Sequence, residues 1–244
     1  LEAVYVHEPD NPDLYPAVVD FVLERGLVPV IARGDACPAY EAIWDGAFGA
    51  RRSLSDRTNV LVKSVACGLS LEWIVDRCDP RVVFVRRNPL NLVASWLERG
   101  WRVRHDLYGA EAAIHETFVR PLGLPEKPAA SELSLMAWWL ALQLHVQETV
   151  ALRHPDWPMV SHDEACLHPQ RTLEVVLDEL GGGDNHRLGA YLSNSDQPGT
   201  GFETRRLTRD QPKNWRSVLA PGQVDEARAM FSAFPAGGWQ SLMD

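Results

Sequence analysis

Five places in this chain carry residue types that can bind or activate a ligand. Arg86-Arg87-Asn88-Pro89 follows an apolar run, and Ser95 comes eight residues after Arg87. Lys63-Ser64 closes an earlier apolar run, and His7-Glu8 closes the first one. Arg205, Arg206, Arg209, Lys213 and Arg216 form a late basic stretch with Trp215 among them. His162-Asp163-Glu164 offers an imidazole and two carboxylates. A guanidinium presents a planar fork to phosphate, a Lys adds a point charge, and a helix start adds free N–H groups and a favourable dipole. The shared chemistry is anion recognition, with His7 and Glu8 as groups able to take a proton. Read from residue types alone, Arg86 and Arg87 fit a phosphate site and a solvent-facing strand end equally well.

The charge distribution favours a small polyanionic ligand. The 244 residues hold 24 Lys plus Arg against 33 Asp plus Glu, a net charge of −9 with His neutral. Such a balance gives no drive for counterion release from a nucleic-acid duplex. Against it, residues 81–104 carry six Arg and one Glu, and residues 205–216 carry five basic side chains and one Asp. The four cysteines are scattered without a CxxC, so neither a thiolate zinc site nor a disulfide framework is expected; Cys67 and Cys78 read as buried small hydrophobes. No HxH or HExxH spacing offers a metal site. Without a long apolar run or a signal-peptide pattern, the expectation is a soluble, cytoplasmic protein with no membrane or nucleic-acid partner.

Elements that would position these residues follow from periodicity and punctuation. Ala3–His7 reads as a strand and Pro16 to Arg25 as a helix stopped by Gly26. Leu27–Ala32 reads as a second strand, and residues 34–58 as short helices and loops around Tyr40, Trp44 and Phe48. Asn59–Lys63 and Arg81–Val85 are continuous apolar strands separated by the helix Leu69–Cys78, and Pro89–Leu97 is the next helix. Strands without polar alternation belong to a parallel sheet covered on both faces. These two strands are therefore expected side by side, with Lys63 and Arg87 at the same carboxyl edge, where open α/β sheets bind ligands. The second half is helix-rich: Ala110–Phe118, the long Ser131–Arg153 with Ser131 as its cap, a late strand Trp157–Ser161, Arg171–Leu180 and Val224–Phe234. Trp138 and Trp139 read as core, and the Gly-, Ser- and Asn-rich residues 181–203 as a flexible segment or lid. No linker forces a split, so one α/β domain with a parallel central sheet and flanking helices is expected over residues 1–244.

The run Val82 to Trp96, VVFVRRNPLNLVASW, resembles the 3′-phosphate-binding strand–loop–helix of sulfotransferases that use 3′-phosphoadenosine 5′-phosphosulfate (PAPS). In that family an Arg closes the strand and a Ser follows eight residues later, the positions of Arg87 and Ser95. Leu61 to Ser64, Leu71 to Ile74 and Pro158 to Glu164 resemble the bacterial branch, and Arg209 through Arg216 resembles its C-terminal basic segment, which ends in a Trp-plus-basic step. The resemblance implies a P-loop NTPase-like sulfotransferase fold and a small-molecule hydroxyl or amine as the sulfuryl acceptor. Arg87, Ser95, Arg209, Ser64 and Trp215 would bind the nucleotide, and Lys63 would face the sulfuryl group. No metal is implied. The His that serves as base in the cytosolic branch falls at Val65, so Glu8 or His7 would take the acceptor's proton. By residue type and position alone, Trp101, His105 and Asp106 are candidates to contact the acceptor, with core packing and an exposed loop pair as the plainer alternatives.

One family element has no counterpart here. Sulfotransferases begin with a strand running into a Gly-rich loop whose backbone N–H groups wrap the 5′-phosphosulfate. Gly181-Gly182-Gly183 follows a helical pattern and lacks a neighbouring Lys, while Gly46 and Gly49 are too sparse. The chain starts at Leu1 inside a strand pattern, and an upstream segment of about 20–40 residues is expected. The alternatives are a nucleotide-binding or regulatory relative that has lost transfer, and a kinase-like enzyme. The second lacks a Walker Lys and a magnesium carboxylate after a strand.

Overall fold

Four short strands in two parallel pairs and a larger set of helices make up the described residues. The computed structural model describes residues 3–53, 59–103, 110–129, 131–181, 188–198 and 207–243. These fall into two compact units. The first comprises Leu1–Pro80, Arg102–Lys127 and Leu142–Val150; the second comprises Arg81–Trp101, Pro128–Ala141 and Ala151–Asp244.

In the first unit, β1 (Ala3–His7) pairs in parallel with β2 (Asn59–Lys63), in a register that sets His7 opposite Lys63. A 3₁₀ turn at Pro16–Val18 leads into α1 (Val19–Arg25), which ends where Gly26 turns at φ 86°. α2 (Pro38–Ser53) is one helix of 16 residues, where the sequence led us to expect short helices and loops. Tyr40, Ile43, Trp44 and Ala47 repeat at i, i+3, i+4 and i+7, and this stripe packs inward. Leu27–Ala32 is not a strand. Pro29 has no N–H to give a ladder, and the Ile31 N–H is taken by the Ser70 hydroxyl at 3.0 Å. Val28 and Ile31 are nevertheless buried. A 3₁₀ turn at Cys67–Ser70 precedes α3 (Leu71–Cys78), which stops at Asp79 in a left-handed conformation. The core is aromatic: Tyr40 stacks on Phe21 at 5.2 Å and meets Trp73 at 5.2 Å. Cys67 and Cys78 pack against it as free thiols.

In the second unit, β3 (Phe84–Arg86) pairs in parallel with β4 (Met159–Ser161), with Arg86 opposite Ser161. The expected pairing of β2 with β3 is not formed among the described residues, since β2 pairs with β1 and β3 with β4. A helical crossover returns a strand parallel to its predecessor without obliging the two to be neighbours. Nor are both faces of the strands covered as expected: Tyr5, Leu61 and Val85 each leave more than half of their surface exposed. α4 (Pro89–Glu98) follows β3 directly. Asn88 caps it by accepting the Leu90 N–H at 2.9 Å, and Pro89 occupies the first turn, where no N–H is needed. The helix Trp215–Val218, the terminal helix Pro221–Ser232 and the turn Gln240–Met243 pack on α4.

The long helix Glu132–Ala151 is buried on most of its circumference, with Trp138 and Trp139 inside as expected. The Ser131 hydroxyl accepts the Ser134 N–H at 2.9 Å, the cap read from the sequence. Short helices at His162–Leu167 and Pro169–Glu179 follow β4. Leu188–Ser195 is also helical, so the Gly-rich region 181–203 is not irregular throughout. Among the described residues no helix is long and apolar enough to cross a membrane.

Candidate functional site

Each unit gathers polar side chains at the carboxyl ends of its strands. In the first, β1 runs out at Glu8, whose backbone adopts φ 45°, a left-handed conformation that costs a non-glycine residue about 1 kcal/mol or more. The turn is held by the Glu8 N–H donating to the Lys63 carbonyl at 2.6 Å and the Asn11 N–H donating to the Glu8 carbonyl at 2.9 Å. It directs the Glu8 carboxylate against Lys63. Oε1 accepts a hydrogen bond from Lys63 Nζ, Oε2 accepts one from Asn11 Nδ2 at 2.8 Å, and His7 Nε2 lies 3.8 Å from Oε1. The Glu8 side chain is 12% exposed, against 44% for Lys63 and 47% for His7. Burial pushes the Glu8 carboxyl upward, but the hydrogen bonds from Lys63 and Asn11 and the charges of Lys63 and His7 outweigh it, leaving the pKa below the ordinary value. Glu8 is therefore ionised at neutral pH. The Tyr5 hydroxyl meets His7 Nδ1 at 2.8 Å and orients that ring.

Behind this pair lies Asp10, 2% exposed. The Ser64 hydroxyl lies 3.0 and 2.9 Å from its two carboxylate oxygens and accepts the Ala66 and Cys67 N–H groups at 3.2 Å. Burial raises the Asp10 pKa, and the Ser64 hydrogen bond opposes the rise. Burial also pushes the Cys67 thiol up to about 12, with the Asp10 charge adding to it, so Cys67 is no nucleophile. Ser64, expected to touch the nucleotide, has its hydroxyl committed to Asp10 and to its own turn.

In the second unit the strand end carries Arg87. Its Nε is buried without a hydrogen-bond partner, immediately before the α4 N-terminus. Burial draws the Arg87 pKa below its ordinary value, Arg99 adds to this, and Cys166, Asp163 and Glu98 oppose it. An arginine stays charged even so. His162, from the helix His162–Leu167, is lowered by burial and by the Arg87 charge, with Asp163 at 3.4 Å pulling the other way, so its imidazole is neutral at pH 7. Its ring lies 3.7 Å from the Cys166 sulfur. The Ser95 hydroxyl accepts a hydrogen bond from Arg99. Arg209 stands on the 3₁₀ turn Thr208–Lys213, its side chain 78% exposed and 3.8 Å from Asp210. That turn packs on the helix His162–Leu167, whose His162 feels the Arg87 charge.

The remaining candidates separate. Trp215 is buried, its ring flanked by Arg216 at 5.1 Å and Arg228 at 5.9 Å, so it anchors its segment. Trp101 is 46% exposed, edge-on to Trp96 at 5.7 Å with Arg99 over its ring. His105 and Asp106 lie outside the described residues. Lys63 and Arg87 belong to different units. Among the described residues no group of three His, Cys, Asp or Glu is arranged to hold a metal.

Sequence reading missed Asp10, Asn11, Asn91 and Arg99. Asp10 and Asn11 stood in view inside the turn Glu8–Pro12, but as turn formers. Asn91 had a sharper signal, an amide in the otherwise apolar helix sequence PLNLVASW. Comparison of the chain with protein-family models, with curated proteins and with solved structures gives no match.

Proposed function

We propose that this protein is a sulfotransferase that moves a sulfuryl group from PAPS to a hydroxyl or amine of a small molecule. The observation that carries the reading is Arg87: a guanidinium whose Nε is buried and unpartnered, at a strand end, beside the N-terminus of a ten-residue helix. Those features suit a phosphate, which accepts from the fork and is favoured by the dipole of the helix start, where Pro89 has no N–H and Asn88 takes that of Leu90. Arg87, Ser95 and the Arg209 segment would hold the nucleotide's 3′-phosphate. PAPS supplies the sulfuryl group on a phosphate leaving group. As the acceptor oxygen or nitrogen bonds to sulfur and the sulfur–oxygen bond to phosphate breaks, the acceptor's proton passes to Glu8. The products are the sulfated acceptor and adenosine 3′,5′-bisphosphate. Lys63 supplies fixed positive charge beside Glu8, and His7 is the alternative base.

A second reading, a nucleotide-binding protein without transfer, is favoured by one observation: Lys63 and Glu8 engage each other. Calorimetry tests the binding step common to both. Wild type is expected to bind adenosine 3′,5′-bisphosphate at least tenfold more tightly than adenosine 5′-monophosphate, with Arg87→Ala losing most of the preference, because a hydrogen bond to a charged group contributes about 1.5–3 kcal/mol. Equal wild-type affinities for the two nucleotides would reject the 3′-phosphate site. A transfer assay then separates the enzyme from the binding protein.

A further inference from the structure

Asn91 sits on the first turn of α4, 1% exposed, in a helix face otherwise made of Leu90, Val93 and Ala94. Burying a primary amide is costly unless its groups are paired. Both ends of this amide are paired, and to one segment: Nδ2 donates to the Pro212 carbonyl at 2.9 Å, and Oδ1 accepts the Trp215 N–H at 3.0 Å. The partners bracket Lys213 and Asn214. The Trp215 N–H belongs to the first turn of its helix, where no intrahelical carbonyl exists to receive it. Asn214 makes a weaker tie to the other end of α4, its Nδ2 lying 3.4 Å from Glu98 Oε2. Only an amide meets the Asn91 pair of demands, because one partner is a carbonyl and the other an N–H. An Asp has no donor for Pro212, and a Leu fills the space but offers neither group.

We infer that Asn91 is a positioning residue of the nucleotide site, a clasp that fixes the basic segment 207–216, and with it Arg209, to the helix that Arg87 opens. The inference rests on the reading that Arg87 and Arg209 serve one 3′-phosphate. Asn91 touches no ligand in this account. Its effect runs through the backbone at Pro212 and Trp215, so it acts on the part of the affinity that Arg209 supplies.

The test is the ratio of affinities for adenosine 3′,5′-bisphosphate and adenosine 5′-monophosphate, measured by calorimetry on wild type, Asn91→Leu, Arg209→Ala and the double variant. Asn91→Leu is expected to lower the ratio by about tenfold, the size of one lost charged hydrogen bond. Placing Asn91→Leu on Arg209→Ala is expected to lower it no further, since the clasp then has no arginine to place. A merely structural role would weaken both nucleotides alike and leave the ratio unchanged. A wild-type ratio in Asn91→Leu, or two losses that multiply, overturns the inference. If Asn91→Leu does not fold, Asn91→Asp decides on the same ratio, as it keeps the shape and the Trp215 bond while losing the Pro212 bond; a several-fold fall is expected, and an unchanged ratio overturns the clasp. Wild type failing to prefer the bisphosphate removes the 3′-phosphate reading and the clasp together. A preference abolished by Arg87→Ala but kept by the Asn91 variants removes the clasp alone.

Discussion

Glu8 and Asp10 stand two residues apart and are driven in opposite directions. Asp10 is nearly inaccessible and held above its ordinary pKa by burial, whereas Glu8 keeps a charged partner and falls below its own. Because the folded pKa of Glu8 is depressed below 4.5, its pairing contributes stability that is present above that pH and is lost as pH falls through the lower folded value. Lys63→Met removes the largest favourable influence on the carboxylate and leaves burial unopposed by it. We expect the acid limb of transfer to move upward in that variant, with stability at pH 7 reduced by about 1 kcal/mol; pH–rate profiles and urea melts check the two effects. Glu8→Gln is expected to slow transfer by about 10²–10⁴-fold with little change in bisphosphate affinity, the pattern of a proton acceptor. If Glu8→Gln turns over normally and His7→Asn does not, the base is His7. Asp10 has the opposite sign: its raised folded pKa means that ionisation costs stability as pH rises. Asp10→Asn should therefore melt above wild type at pH 7, with the gap closing as the pH is lowered towards 4 in thermal scans.

At the scale of elements, the segment around α4 bears most of the argument. Asn88 both caps the helix and donates to the Leu242 carbonyl, so Asn88→Ala is expected to cost about 1–2 kcal/mol in chemical denaturation. A second check lies in the first unit, where a Cβ at Gly68 would run into the side-chain amide of Gln147. Because that amide can turn aside, Gly68→Ala should cost no more than about 1 kcal/mol, and Gln147→Ala added to it should remove the loss. Elements with a clean period and firm stops were legible: β1, β2, α3, α4 and the long helix all stand within a few residues of their expected bounds. Leu27–Ala32 was misread because an apolar run was weighed above the missing Pro29 N–H. α2 was missed because residues 34–58 were read as lacking a long periodic run, although Tyr40, Ile43, Trp44 and Ala47 form a short one.

For the molecule as a whole, the net charge of −9 opposes an anionic ligand at long range, while the two basic stretches act locally. Salt screens the long-range part most, since at about 0.1 M the Debye length is only about 10 Å. Raising the ionic strength several-fold should therefore weaken bisphosphate binding less than it weakens binding at an exposed cationic patch, because Arg87 is largely shielded from solvent. The strand-end arginine of the candidate site was legible from local order alone. Its supports were not. Asn91 meets Pro212 and Trp215 more than a hundred residues along the chain, and Asp10 meets Ser64 across fifty-four, separations that no local spacing encodes.

The left-handed backbone at Glu8 sets two selections against each other. Glycine adopts that conformation without the steric cost a carboxylate-bearing residue bears. A library randomised at position 8 and sorted for thermal survival alone should enrich Gly and Asn, while one sorted for sulfated product should hold Glu. Convergence of both pools on Glu would mean that the Lys63 and Asn11 contacts more than repay the strained turn.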